Sequence, residues 1–281
     1  MPSMVYQVQR TLQEQLRIGE SRHAAKVEEG RRDPNGIFSY GTLETYLKQG
    51  CAFAKWAKAE YGCNTLAKAR PYAEAYLRKG IDAGLSASTL STQRAAICKL
   101  YQCSAADIDV QLPARMRGSI KRSRGAASRD AGFSEKKNAD ILAFARATGL
   151  RRHELAAAKP SQIQLEDGRL QLVGVIGKGG KVRDVDVLPG CYGAVLRHAI
   201  LPGGKRIFSR VPSHMDVHGC RREYAQAFYR MIARDVDQLE RRDRYACRGD
   251  KAGVVYDRRA MLAVSRQLGH NRISVIAGHY L

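Results

Sequence analysis

Between Pro113 and Ala131 the sequence carries Arg115, Arg117, Lys121, Arg122, Arg124 and Arg129 among glycines and serines, with no acidic residue until Asp130. A stretch with so many unpaired cations cannot enter an apolar core, because an ionised group taken out of water without a partner is very costly. It therefore divides the chain, and any packed core lies before it or after it. At 281 residues the chain is long enough for two modest cores.

The two sides read differently. Val5 to about Glu29 is polar and helix-prone and breaks at the turn cluster 31–36 (Arg-Arg-Asp-Pro-Asn-Gly). Apolar residues at Leu43, Leu47, Phe53, Ala54 and Ala57 then recur at helical spacing, together with the only tryptophan, Trp56, and the pattern closes near Gly62. A second helix is expected to end at Gly84. A third, over 86–103, places Leu90, Ile97, Leu100 and Tyr101 on one face and Thr89, Gln93 and Arg94 nearer the other. After the basic stretch, helices are expected near Asn138–Ala147 and from about Arg151. Strand-like segments follow at Gln162–Leu165, Leu170–Ile176 and Val182–Val187, punctuated by Asp167-Gly168 and by a Gly-Lys-Gly-Gly-Lys loop at 177–181. The expected fold class is mainly α with a small antiparallel sheet. It comprises an N-terminal helical extension (1–35), a helical module (36–112), a basic linker (113–131) and an α+β domain (132–281).

The balance of 48 Lys+Arg against 27 Asp+Glu, a formal charge of +21, speaks to partners rather than to fold, and nucleic acid comes first. Membrane attachment is not expected, because no apolar run is long enough to span and no amphipathic Trp- or Phe-rich helix is evident. No signal peptide is read at the N-terminus. The seven cysteines form no C-x-x-C pair, which suits reduced thiols in a cytoplasmic protein rather than disulfides or zinc. The glycine-rich loop at 177–181 lacks the spacing of a nucleotide-binding loop and leads into a strand where such a loop wants a helix.

Four fragments of the second domain are weak alone and specific together. They are Thr-Gly-Leu-Arg-Arg-His-Glu-Leu (148–155), Ile-Gly-Lys-Gly-Gly-Lys-Val-Arg (176–183), His-Gly-Cys-Arg-Arg-Glu-Tyr-Ala (218–225) and Leu-Gly-His-Asn-Arg-Ile (268–273), the last followed by His279-Tyr280. In this order the chain resembles the tyrosine recombinase, or phage-type integrase, family over about residues 36–281. The resemblance implies a helical core-binding domain that forms half of a DNA clamp, followed by a catalytic domain. It implies that Arg151 and Arg221 grip the scissile phosphate and that His270 adds a hydrogen bond to it. His218 is implied as a partner or proton acceptor for the nucleophile, Lys178 as the acid for the leaving 5′ oxygen, and Tyr280 as the nucleophile forming a 3′-phosphotyrosyl link. The chemistry suits these residue types. Arginine presents a planar fork that stays charged, and a phosphodiester needs a nucleophile, a charge clamp and a leaving-group acid. Cationic side chains then do the work of a metal, so neither metal nor cofactor is expected. Glu154 reads as a structural partner rather than a base. Lys178 is preferred to Lys181 by its place in the pattern, and Tyr224, Tyr245 and Tyr256 follow no L-G-H box.

Two departures stand out. His270 stands 49 positions after Arg221, so 222–269 reads as containing an insertion, which includes 243–251. The sequence also stops one residue beyond Tyr280, where related chains continue into a tail that docks on a neighbouring subunit. The expected partner is duplex DNA, met by Gln93 and Arg94 at base edges and by Arg115, Arg117, Lys121, Arg122 and Arg124 along phosphates. A homotetrameric synapse and an accessory DNA-bending or directionality factor follow from the resemblance. The expected activity is site-specific recombination, most simply integration and excision of a mobile element. A non-catalytic DNA-binding protein and a chromosome-dimer resolving enzyme of the same chemistry are the alternatives.

Overall fold

The computed structural model describes residues 2–30, 33–116, 133–177, 180–200, 205–270 and 272–281. The chain forms two compact units that meet in sequence between 121 and 122, inside the basic stretch.

The first unit is helical. It contains α1 (Met4–Gln13), α2 (Arg22–Glu28), α3 (Tyr40–Tyr61), α4 (Leu66–Ala69), α5 (Ala73–Asp82) and α6 (Ala87–Tyr101). Ser3, Ser21, Ser39, Thr65 and Ser86 each cap a helix by accepting a backbone N–H from the first turn. Helix α3 stops at Gly62, whose φ of 65° lets the chain turn away in the left-handed region. Met4, Val8 and Leu12 of α1 are buried in one core with Phe53, Ala54, Ala57, Leu77, Ile97 and Leu100. The opening segment is therefore part of this unit's packing, where the sequence suggested an extension.

The face assigned to α6 needs one correction. Gln93 is only 7% exposed and lies among the buried residues of the helix, with Leu90, Ala96, Ile97 and Leu100. The reason is periodicity: Gln93 stands three residues after Leu90 and four before Ile97, which keeps it on the core stripe. Arg94 is half-buried, and its guanidinium points at the Val110 carbonyl, 3.5 Å away.

The second unit is mixed. Helices α7 (Ala139–Thr148) and α8 (Arg152–Ala157) precede a three-stranded antiparallel sheet of β1 (Ile163–Glu166), β2 (Arg169–Ile176) and β3 (Val182–Asp186), in the order β1-β2-β3. The β1–β2 turn is Asp167-Gly168, and both residues have positive φ (48° and 74°), as a two-residue hairpin turn demands. Then come α9 (Tyr192–Leu196), α10 (Val217–Ile232), the two-stranded hairpin β4 (Arg244–Ala246) and β5 (Val255–Asp257), α11 (Arg258–Gln267) and α12 (Ile273–His279). Phe144, Leu150, Leu155, Leu170, Leu172, Val185, Tyr224, Met261, Val264 and Ile276 share one core under the sheet and helices. All seven cysteines are free thiols. Among the described residues no helix is long and apolar enough to cross a membrane.

Candidate active site

Four residues of the ordered motifs, Arg151, Arg221, His270 and Tyr280, converge in the second unit from different elements. Thr148 ends α7 and Gly149 follows at φ 60°, where a Cβ would lie 2.5 Å from the Tyr224 ring. Only glycine fits both the backbone and the space. The freed Gly149 carbonyl accepts from Arg221 Nη1 at 2.5 Å. Arg151 is the N-cap of α8, and Glu154, one turn on, is buried beneath it.

Glu154 organises the arginines. Its carboxylate accepts the Arg151 N–H and Arg151 Nη1, both at 2.8 Å, and takes Arg183 Nη1 and Nη2 at 2.9 and 2.8 Å. Arg221 Nη1 lies 4.0 Å away. Burial alone would raise the carboxyl pKa, but hydrogen bonds from Arg183 and Arg151 outweigh it and hold the group down to about 2. Three guanidinium groups thus share one carboxylate, and the cluster carries surplus positive charge.

Arg221, on α10, is wholly buried. Besides Gly149, it donates through Nη2 to the Leu268 carbonyl and through Nε to the Tyr280 hydroxyl at 3.1 Å. Desolvation lowers its pKa from the ordinary arginine value. The start of α10 is fixed by Asp216, which caps it through the Gly219 N–H, and by Arg152, which donates to the carbonyls of Pro212, Ser213 and Met215.

The Leu-Gly-His box follows α11. Gly269, at φ 61°, lies against Arg183, and a Cβ there would sit 3.2 Å from that side chain. Gln267 ties the box to β3. Its carbonyl accepts from Arg183 Nε, its side-chain oxygen accepts the Asp186 N–H, and its Nε2 donates to the Asp186 carboxylate. His270 Nε2 lies 3.2 Å from the Tyr280 hydroxyl and 3.5 Å from Arg221 Nη2. Burial, followed by the fields of Arg221, Arg151 and Arg183, pushes the imidazole pKa down to about 4, so His270 is neutral at pH 7. Because Arg221 only donates, a nitrogen facing it is an acceptor, which leaves the Tyr280 O–H to donate to Nε2. Tyr280 itself, just beyond α12, is 7% exposed.

Arg151, Arg221, His270 and Tyr280 are thus brought together. His218 sits in the first turn of α10, exposed, and makes no hydrogen bond or ion pair among the described residues. Arg115 is exposed. Lys178, Arg117, Lys121, Arg122 and Arg124 lie outside the described residues. The rival tyrosines stand apart: Tyr224 is buried with its hydroxyl on the Asp186 carbonyl, and Tyr245 and Tyr256 pair across the β4–β5 hairpin. Sequence reasoning did not select Arg183 or Gln267, although Arg183 closes the Gly-Lys-Gly-Gly-Lys-Val-Arg fragment. Among the described residues no group of three or more His, Cys, Asp or Glu side chains is placed to hold a metal ion.

No protein-family model matches the sequence, and no curated protein does. Solved structures do resemble it. XerH site-specific recombinase, bound to its difH substrates after and before cleavage, aligns with TM-scores of 0.54 and 0.53 at 14% and 15% identity, over 98% of this chain and 91% of XerH. A solved fragment of Tn1549 transposon integrase in complex with a circular intermediate DNA aligns at 0.50 with 11% identity, over 100% of this chain and 96% of that fragment. The fold is therefore that of the tyrosine recombinases, mainly helical with a small antiparallel sheet.

Proposed function

We propose that this chain is a site-specific DNA recombinase that cleaves and rejoins strands through a 3′-phosphotyrosyl intermediate at Tyr280. The observation that carries the proposal is the hydroxyl of Tyr280 held between Arg221 Nε at 3.1 Å and His270 Nε2 at 3.2 Å, beside a cationic cluster. A nucleophile, an acceptor for its proton and a clamp for phosphate oxygens stand within one hydrogen-bond network.

In the proposed reaction the scissile phosphate replaces the tyrosine hydroxyl on Arg221 Nε and is gripped from a second side by Arg151. The Tyr280 oxygen attacks phosphorus as its proton passes to neutral His270. The P–O bond to the 5′ oxygen breaks, and Lys178 supplies the proton to that leaving group. The reverse sequence, with a 5′ hydroxyl from another strand, rejoins the DNA. Glu154 does not touch the phosphate in this scheme, because its ionised carboxylate holds Arg151 and Arg183 in register. The geometry favours His270 over His218 as the partner of the nucleophile, since only His270 reaches the hydroxyl.

The resemblance of the fold to DNA-bound recombinases supports duplex DNA as the partner, and the charge of +21 fits phosphate-directed, salt-sensitive binding. A tetrameric synapse and a mobile-element role, integration and excision, complete the reading. The test is recombination between two plasmid-borne copies of the DNA flanking the gene. The chain is expected to yield recombinant product and Arg221→Lys to yield none while still binding. Product from the Arg221→Lys variant at an unaltered rate contradicts the clamp, because a lysine has no planar fork to hold the Gly149 and Leu268 carbonyls while presenting a fixed third donor to the phosphate.

A further inference from the structure

The segment between Arg221 and His270 that the sequence marks as an insertion has a use. We propose that Lys251, carried by the β4–β5 hairpin, is a positioning residue that fixes the backbone on both sides of Tyr280, an inference that rests on Tyr280 being the nucleophile. Helix α12 has only seven residues, too few to hold itself, and it leaves its last carbonyls without helical partners. The Tyr280 and Leu281 N–H groups both turn back to the Ile276 carbonyl. Lys251 Nζ donates to the Ala277 carbonyl at 3.1 Å, the Leu281 carbonyl at 2.9 Å and the Tyr256 hydroxyl at 3.3 Å. All three ammonium protons are used, and a cation at a helix C-terminus is favoured by the helix dipole. Gln226 Nε2, from α10, takes the Tyr280 carbonyl at 3.0 Å.

The arm that carries Lys251 is itself anchored. Asp257, at the end of β5, is fully buried and takes Arg234 Nε and Nη2, both at 2.9 Å, while its N–H donates to the Tyr229 hydroxyl. Arg244, at the start of β4, donates to the carbonyls of Leu239 and Asp237. The hairpin is therefore a strut from α10 to the end of α12. It grips main-chain carbonyls and leaves the Tyr280 side chain to rotate. Such a grip sets where the hydroxyl stands when phosphate displaces it from Arg221, without meeting the reacting atoms.

The experiment compares the unaltered chain with Lys251→Ala, Lys251→Arg and Tyr280→Phe on labelled nicked duplexes tiling the DNA that flanks the gene. Single-turnover cleavage at saturating DNA and DNA affinity are read separately, and hydrogen exchange of the Tyr280 and Leu281 amides is followed without DNA. Lys251→Ala is expected to slow cleavage by about tenfold to about a hundredfold with affinity unchanged, the penalty of a misplaced reacting group. It should also speed exchange of those two amides, while Lys251→Arg recovers most of the rate. An Ala variant that cleaves at the unaltered rate overturns the role of Lys251 alone. So does a deficit that vanishes when DNA is raised, which would make Lys251 a DNA contact. No adduct from the unaltered chain, or an adduct from Tyr280→Phe, overturns the nucleophile and the positioning role with it.

Discussion

Replacing Glu154 by glutamine tests whether one buried carboxylate holds the arginine cluster together. The carboxyl pKa falls from 4.5 to about 2 on folding, although burial opposes the shift. A group depressed in the folded state contributes stability above its unfolded pKa and loses it as pH falls toward the folded one. At about 1.4 kcal/mol per pKa unit the contribution is about 3 kcal/mol at pH 7 and about 1.4 kcal/mol at pH 3. Breaking a buried ion pair from one side typically costs about 3–5 kcal/mol, which agrees in size. Urea unfolding followed by far-UV circular dichroism reads both units, and Trp56 fluorescence reads the first alone, where the only tryptophan lies, so a transition in the former without the latter belongs to the second unit. Glu154→Gln is expected to destabilise the second unit by about 3 kcal/mol at pH 7, with the gap to the unaltered chain narrowing below pH 4.5. A loss under about 1 kcal/mol, or one that stays constant from pH 7 to pH 3, refutes the reasoning, because neither fits a carboxylate ionised against several guanidiniums.

Further outcomes follow from the same geometry. Gly149→Ala places a Cβ 2.5 Å from the Tyr224 ring at a φ of 60°, and it should cost about 2–4 kcal/mol in a denaturant midpoint series, strain and overpacking together. His270, held near 4 by burial and by Arg221, Arg151 and Arg183, should titrate well below an ordinary histidine when its ring protons are followed by NMR. Its depressed value means that stability is lost as pH falls below 6.5, and a midpoint above 6 contradicts the neutral acceptor. Asp257→Asn removes the two-pronged acceptor of Arg234 and should lower stability by about 2–4 kcal/mol, with proteolysis first appearing in residues 233–257. Arg183→Ala should reduce cleavage while leaving DNA affinity nearly unchanged, because Arg183 is spent on Glu154 and Gln267 rather than offered to solvent.

Local chemistry was legible where a motif brings its own geometry. The Asp167-Gly168 turn and the stop of α3 at Gly62 follow from residues adjacent in sequence, and so does the basic divide between the units. Arg151, Arg221, His270 and Tyr280 were singled out through the family resemblance, and the fold brings these four side chains together. What escaped depends on long-range pairing. Arg183 meets Glu154 across 29 positions, and Gln267 meets Asp186 across 81, which no local pattern announces. Lys251 lies in the segment read as an insertion, and its acceptors at the end of α12, 26 and 30 residues on, follow from no local pattern. Gln93 was misplaced for the opposite reason. Its polarity suggested an outer face, while its spacing from Leu90 and Ile97 put it on the inner one. His218 was expected beside Tyr280, but it is exposed, and the side chain that reaches the Tyr280 hydroxyl is His270.

The central claim is that Tyr280 becomes covalently joined to DNA. The most direct measurement incubates the chain with labelled duplex spanning the DNA that flanks its gene, in EDTA, quenches with detergent and maps any adduct by mass spectrometry of the nuclease-trimmed peptide. The account predicts a nucleotide on the peptide containing Tyr280, with none formed by Tyr280→Phe although that variant still binds DNA. An adduct on another tyrosine, or salt-sensitive binding with no adduct from the unaltered chain, would contradict it.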